Sequence, residues 1–82
     1  MNIFVARLNF KTGQEELEKA FAQFGEVTSA KIITDRDTGR SKGYGFVEMP
    51  NDEEGNNAIA SLNETELDGR TIIVKPANPK TQ

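Results

Sequence analysis

Residues 42–49, Lys-Gly-Tyr-Gly-Phe-Val-Glu-Met, carry the clearest alternation of side-chain character in the chain. Successive side chains of a β-strand point to opposite faces, so every second residue shares a face. One face would then hold Lys42, Tyr44, Phe46 and Glu48. Because a buried face does not easily accept a lysine and a glutamate, we expect this face to be exposed to water. The opposite, glycine-rich face is expected to pack against the core.

A strand and a helix are predicted before this segment. Ile3 and Val5 alternate with their neighbours in a β pattern near the start of the sequence. Thr12, with Glu15 three residues later, is typical of a capping box in which Thr12 is the N-cap. Apolar residues then follow at helical spacing, and Gly25 is suited to end the helix. The residues of this apolar stripe are Leu17, Ala20, Phe21 and Phe24.

A second strand is predicted over about residues 27–34, because its apolar residues also alternate. Lys31 and Ile33 would lie on one face of this strand, and Ala30 and Ile32 on the other. A charged loop over residues 35–41 would then join it to the strand at 42–49.

The last third of the sequence predicts a second helix and a final strand. Asn51 or Asp52 can cap a helix that runs to Leu62. The pair Asp68-Gly69 favours a two-residue hairpin turn, and residues 70–75 alternate as a strand. A tail that no longer pairs is marked by Pro76 and Pro79.

The predicted order is βαββαβ, which favours an α+β fold of the ferredoxin-like kind. Such a fold is a four-stranded antiparallel sheet with both helices on one face. We expect one domain over residues 1–77 and a short tail over residues 78–82. No element remains to cover the other side of the sheet, here called the open face. By strand alternation the open face carries Phe4, Lys31, Ile33, Tyr44, Phe46, Glu48, Ile73 and Lys75.

Composition removes several classes of function. The 82 residues include no cysteine and no histidine, which excludes disulfides, thiolate or imidazole metal sites, and cysteine or histidine catalysis. No apolar stretch approaches the roughly 18 residues of a membrane span. The loop at residues 9–13 does not suggest an anion-binding cradle. We therefore expect a soluble, cytoplasmic, monomeric protein with no catalytic activity, no metal, no cofactor and no small-molecule substrate.

The formal net charge of −3 is divided unevenly over the predicted fold. On the open face, its adjoining loop and the tail, six basic residues stand against three acidic ones, a net +3. The basic residues are Lys31, Arg36, Arg40, Lys42, Lys75 and Lys80, and the acidic ones are Asp35, Asp37 and Glu48. The rest of the chain has four basic and ten acidic residues, a net −6. A polyanion would therefore be attracted to the sheet side alone.

Two segments of the sequence resemble the conserved motifs of the RNA recognition motif family. Residues 42–49 are similar to its octamer, which reads basic, Gly, aromatic, Gly or Ala, aromatic, aliphatic, any, aromatic. Seven of the eight positions agree, and Met49 replaces the final aromatic on the core side of the strand. Residues 3–8 resemble the companion hexamer on the first strand. In overall size the chain resembles the small bacterial members that consist of one such domain.

This resemblance implies that the open face binds single-stranded RNA by stacking its bases on aromatic rings. Phe4 and Tyr44 would each stack on a base, and Phe46 would lean on the sugars between them. Lys42 would meet a phosphate, with Lys31 and Lys75 at the flanks. The complete set of expected RNA-binding residues is Phe4, Tyr44, Phe46, Lys42, Lys31, Lys75, Arg40, Arg36 and Arg7. Single-stranded DNA is also expected to bind, because stacking does not need a 2′-hydroxyl.

Several features of the sequence allow two interpretations. Arg7 could contact a phosphate or a base, but strand alternation would point it inward unless the strand ends or bulges there. Residues 36–42 could be a solvated loop or a clamp that orders on RNA. The three aromatics could belong to the core, although the inverted alternation would then bury lysines. Glu64 stands where the family often has glycine. The alternative function is a protein-interaction domain that uses the acidic helical side or the sheet.

Overall fold

A four-stranded antiparallel sheet with two helices packed on one face confirms the predicted α+β, ferredoxin-like arrangement. This computed structural model describes residues 1–77. The predicted tail at 78–82, with Pro79 and Lys80, lies outside the described residues. The elements are β1 (Asn2–Ala6), α1 (Gln14–Ala22), β2 (Ser29–Thr34), β3 (Ser41–Glu48), α2 (Asp52–Leu62), β4 (Glu66–Leu67), β5 (Arg70–Thr71) and β6 (Ile73–Ala77). The strand order in the sheet is β2-β3-β1-β6.

The core lies between the two helices and one face of the sheet. Every second residue of the inner strands is buried, as alternation requires. Met49 has no exposed surface, which confirms its predicted place on the core side. The largest fully buried side chains are Phe21, Ile3, Leu8, Leu17, Met49, Ile72, Val5, Val47 and Val74. Both helices of residues 1–77 pack on this side of the sheet, so within these residues no helix covers the other face.

The predicted capping box at the start of α1 is wrong. The N-cap residue is Gly13, whose backbone is extended, and no side chain caps the helix. The Thr12 hydroxyl instead donates to Oδ2 of Asp68 at 2.8 Å, and Thr12 is buried. The end of the helix is also earlier than predicted, at Ala22 and not next to Gly25. The Thr12 hydroxyl, which the local pattern predicted to cap the helix, is therefore hydrogen-bonded to a residue 56 positions away in sequence.

The start of α2 agrees with the sequence pattern. Asn51 is the N-cap, and its side-chain oxygen accepts the backbone N–H of Glu54 at 3.0 Å. This bond satisfies one of the amide groups that have no partner within the helix. The helix ends at Leu62, as predicted. Among the described residues, no helix is long and apolar enough to cross a membrane.

The segment predicted as one strand over residues 70–75 is divided in two. Asp68 and Gly69 have φ angles of 52° and 81° and form the predicted two-residue turn, which joins β4 and β5 into a separate small hairpin. The chain then enters β6, which pairs with β1. Pro76 lies opposite Ile3 within this pairing, so the prediction that it stops pairing is wrong. β6 is an edge strand, where a residue without an N–H is tolerated.

Candidate nucleic-acid interface

One line of residues across the open face sets two aromatic rings between two lysines. In the strand register Lys31 lies opposite Phe46, Phe46 opposite Phe4, and Phe4 opposite Lys75. These four residues, here called the central row, cross all four strands of the sheet. The two inner positions are apolar and the two outer positions are exposed cations. The row can therefore offer flat surface to bases at its centre and positive charge to phosphates at both edges.

The three aromatic residues that the sequence singled out form one cluster centred on Phe4. The ring centroids of Phe4 and Phe46 are 5.5 Å apart with an interplanar angle of 53°. Those of Phe4 and Tyr44 are 5.8 Å apart at 43°. Tilted contacts at such distances are favourable for aromatic pairs. All three rings are half-buried, so each keeps part of its surface open on the sheet. Their division between bases and sugars stays a prediction.

Lys75 already contacts the aromatic cluster without a ligand. Its Nζ atom lies 5.6 Å from the centroid of the Phe4 ring, within the range of a cation–π interaction. At an exposed site such a contact contributes only about 0.5–1 kcal/mol. The ammonium group can therefore move to a phosphate when a base takes its place on the ring. Lys31, at the opposite end of the central row, is exposed.

A second row, next to the central row, supplies polar groups that could contact the edge of a base. Glu48 lies opposite Asn2 on β1 and opposite Ser29 on β2. These side chains line a depression of about 210 Å³ together with Lys31 and Phe46. Strand alternation predicted Glu48 on the open face, but the predicted site did not include Asn2 or Ser29. The strand register identifies them, because both lie directly opposite Glu48.

The loop between β2 and β3 is closed by its own hydrogen bonds. The carboxylate of Asp35 accepts the backbone N–H groups of Asp37 at 2.8 Å and Thr38 at 3.1 Å. The backbone N–H of Asp35 donates to the carbonyl of Arg40 at 2.7 Å. The bonds from Thr38 and Asp37 lower the pKa of Asp35, and the nearby charge of Lys42 lowers it further. The carboxylate is therefore charged at neutral pH, which keeps this turn in place.

The basic residues predicted around this loop are exposed but do not lie in the central row. Arg36 and Arg40 belong to the closed loop itself, and Lys42 is near the carboxylate of Asp35. The β2–β3 register shifts between Ile32 and Thr34, so strict alternation does not extend through this end of the strands. Contacts of these three cations with RNA stay predictions.

Arg7 lies just beyond the end of β1. The strand ends at Ala6, and Arg7 is exposed with a φ of 60°. This confirms that the strand had to end or bulge near Arg7 for the side chain to avoid the core. The next residue, Leu8, donates its backbone N–H to the carbonyl of Gly43 at 2.7 Å. Arg7 is thus beside the end of β3 that carries Tyr44, although its role toward RNA stays a prediction.

Within residues 1–77, no group of three or more histidine, cysteine, aspartate or glutamate side chains is arranged to hold a metal ion. The acidic residues nearest the central row are single carboxylates, of which Glu48 accepts a hydrogen bond from the Thr28 hydroxyl at 3.3 Å. The described surface that best combines shape and charge is therefore the central row.

Comparison with known proteins gives a consistent family assignment. The family described as RNA recognition motif matches residues 3–73. Glycine-rich RNA-binding protein 10 of Brassica napus is 51% identical over 77 residues, which are 94% of this chain and 46% of that protein. The chain spans about half the length of the curated relatives it matches. These relatives are plant proteins, so they do not support the expected resemblance to bacterial members.

Two solved structures show the same fold. The crystal structure of RNA binding protein PG1 is 49% identical, with a TM-score of 0.92 over 94% of this chain and 93% of that one. The Sxl-lethal protein/RNA complex is 29% identical, with a TM-score of 0.89 over 95% of this chain and 47% of that one.

Proposed function

The chain belongs to the RNA recognition motif family, and on that premise we propose that it binds single-stranded RNA on the open face of its sheet. The observation that carries this proposal is the central row, in which two phenylalanines lie between two lysines across four paired strands. Every base has a flat face that can stack on an aromatic ring, and every nucleotide has a phosphate that a lysine can neutralise.

Stacking is expected to supply most of the affinity. Base–aromatic stacking contributes about 1–3 kcal/mol per base, and the cluster of three rings can take two or three bases. Few phosphates can be neutralised by the cations of the open face, so the electrostatic part is modest. We expect a site of about two to four nucleotides, with an affinity that falls only gradually as salt is added.

Charge directs RNA to the open face and away from the helices. The first turn of α1 carries Glu15 and Glu16, and the first turn of α2 carries Asp52, Glu53 and Glu54. Their negative charges interact favourably with the positive N-terminal ends of the helix dipoles. They also repel a polyanion from that side of the molecule. The cations of the central row lie on the other side of the sheet.

Polar groups beside the central row would give a loose sequence preference. The carboxylate of Glu48 can only accept hydrogen bonds, so it favours a base that offers an amino group at its edge. Asn2 and Ser29 can donate or accept at the same depression. Stacking on the aromatic rings does not need a 2′-hydroxyl, so we expect single-stranded DNA to bind as well.

The proposal covers residues 1–77 as the binding domain, with residues 78–82 as a short tail. The relatives named above are described as RNA-binding proteins, which supports a binding function and not catalysis. We further propose that the protein acts as a monomer in the cytoplasm and has no small-molecule substrate. Gel filtration of the purified chain would test the monomer directly.

Charge-removing substitutions test this proposal. We expect Lys31→Gln and Lys75→Gln each to weaken RNA binding and to reduce the slope of log affinity against log salt by about 0.7, the value for one phosphate on a single strand. The matched control is Lys19→Gln, an exposed lysine of α1 on the helical side. Fluorescence anisotropy with labelled single-stranded RNA over a range of salt concentrations measures the slope. Equal losses for Lys19→Gln and the two row variants would contradict the proposed surface.

A further inference from the structure

Phe10 is the one large hydrophobic side chain of residues 1–77 that is mostly exposed, with 64% of its surface accessible. It lies between β1 and α1 and is not part of the core cluster. A single exposed apolar residue is common on protein surfaces and by itself indicates nothing. Three further observations distinguish this one: hydrogen bonds hold its turn, the guanidinium of Arg70 lies over its ring, and the ring packs against Gly43 of β3.

The turn that carries Phe10 is fixed by hydrogen bonds on both sides of it. The Asn9 side-chain oxygen accepts the backbone N–H of Lys11 at 2.9 Å, and the Asn9 carbonyl accepts that of Thr12 at 2.9 Å. The Asn9 side-chain amide donates to the carbonyl of Asp68 at 2.9 Å, and the Thr12 hydroxyl donates to the Asp68 carboxylate. The ring is therefore presented by an ordered turn that is attached to the β4–β5 hairpin. A ligand would not have to order this segment.

One arginine lies over the Phe10 ring and a second arginine lines the depression beside it. The Cζ atom of Arg70, on β5, lies 5.8 Å from the ring centroid. Arg40, from the β2–β3 loop, lines a depression of about 490 Å³ together with Phe10, Gly39 and Ser41. Asp68, in the turn of the same hairpin, accepts the Thr12 hydroxyl. A flat ring with one guanidinium group over it and a second arginine beside the same depression is suited to a base with its phosphate.

The Phe10 ring also packs against β3. A Cβ atom at Gly43 would lie 3.3 Å from Cε1 of Phe10, so the ring is packed against this glycine. Gly43 directly precedes Tyr44, which belongs to the cluster centred on Phe4. The Phe10 ring therefore lies beside the residue that precedes Tyr44 in β3, next to the end of the strand where RNA would leave the open face.

We propose that Phe10 is a further base-stacking position, which extends the RNA path off the end of the sheet by at least one nucleotide. Arg70 and Arg40 contact the phosphate of that nucleotide. This inference rests on the proposed RNA binding by the open face and adds a second, separable part to it. The Phe10 turn lies outside the two motifs, residues 3–8 and 42–49, that indicated the family.

RNA length separates the two parts. Randomised single-stranded RNAs of about three and about eight nucleotides should bind the wild type with different affinities, because only the longer one reaches Phe10. We expect Phe10→Ala to leave the affinity for the short RNA unchanged and to lower that for the long RNA by about tenfold, the effect of one lost stacking contact. Phe4→Ala should weaken binding of both lengths.

A tryptophan reporter tests for direct contact with the base. The chain contains no tryptophan, so Phe10→Trp introduces a single indole whose fluorescence reports on stacking. We expect strong quenching by the long RNA and little by the short one, whereas Phe4→Trp should be quenched by both. An equal affinity of Phe10→Ala and wild type for the long RNA would overturn the role of Phe10 while leaving the open face intact. Failure of the wild type to bind either RNA would overturn both proposals.

Discussion

Replacing Phe4 with alanine is expected to weaken single-stranded RNA binding by about 10- to 100-fold. Phe4 is the centre of the aromatic cluster, in contact with both Phe46 and Tyr44, and it lies next to Lys75 in the central row. The substitution removes one stacking surface and also releases the rings that pack against it. At about 1–3 kcal/mol per stacked base, the loss of one position with some disturbance of the next gives this range.

Two companion variants separate stacking from other effects at this position. Phe4→Leu keeps an apolar side chain but has no ring, so it should lose nearly as much affinity as Phe4→Ala. Ile33→Ala truncates a half-buried side chain of the open face that is not aromatic, and its affinity should change by less than about threefold. Anisotropy titrations give the affinities, and circular dichroism melts show that each variant is folded. Wild-type affinity in Phe4→Leu would show that the face does not bind RNA by stacking.

Replacing Gly45 with alanine is expected to cause the largest loss of stability. Gly45 is buried in β3, and a Cβ atom there would lie 2.3 Å from the carbonyl oxygen of Lys31 and 3.3 Å from Cα of Ile32. Both are backbone atoms of β2, which cannot rotate away as a side chain can. The strands must shift to admit the methyl group, at a cost of about 1–3 kcal/mol, the usual range for an overpacked site. In a domain with a total stability of about 5–15 kcal/mol, this is a large fraction. Because the octamer of the family accepts alanine as well as glycine at this position, we expect the variant to stay folded.

The matched control is Gly39→Ala. Gly39 has a φ of 73°, but no atom of the described residues lies within 4 Å of a Cβ atom added there. Its alanine variant should therefore lose only the roughly 1 kcal/mol that a left-handed backbone costs an ordinary residue. Urea unfolding at neutral pH measures both variants. If Gly45→Ala proved no less stable than Gly39→Ala, the close approach of β2 to β3 at this position would be refuted.

Alternation along the strands predicted the faces of the sheet, because it depends only on neighbouring residues. It placed the three aromatics and Lys31 on the open face and Met49 in the core. Local signals also located the cap at Asn51 and the Asp68-Gly69 turn. Each of these features is decided within a few residues of sequence, where propensity and hydrogen bonding act directly.

The predictions that failed depend on partners far along the chain. Thr12 matches a capping box, but its hydroxyl bonds to Asp68. Pro76 matches a strand terminator, but β6 is at the sheet edge, where the missing N–H is tolerated. Alternation gives the face of a residue but not its register, so neither the central row nor the place of Asn2 and Ser29 beside Glu48 could be read from the sequence. Phe10 lies in a turn, where no period singles it out.

Backbone-amide NMR during a titration with short single-stranded RNA tests the central claim most directly. We expect the largest shift changes at the residues of the central row and at their strand neighbours, with α1 and α2 almost unaffected. The row variants Lys31→Gln and Lys75→Gln should reduce these changes in proportion to their loss of affinity. Shift changes centred on the acidic first turns of α1 and α2, with the signals of Phe4 and Phe46 unmoved, would contradict RNA binding by the open face.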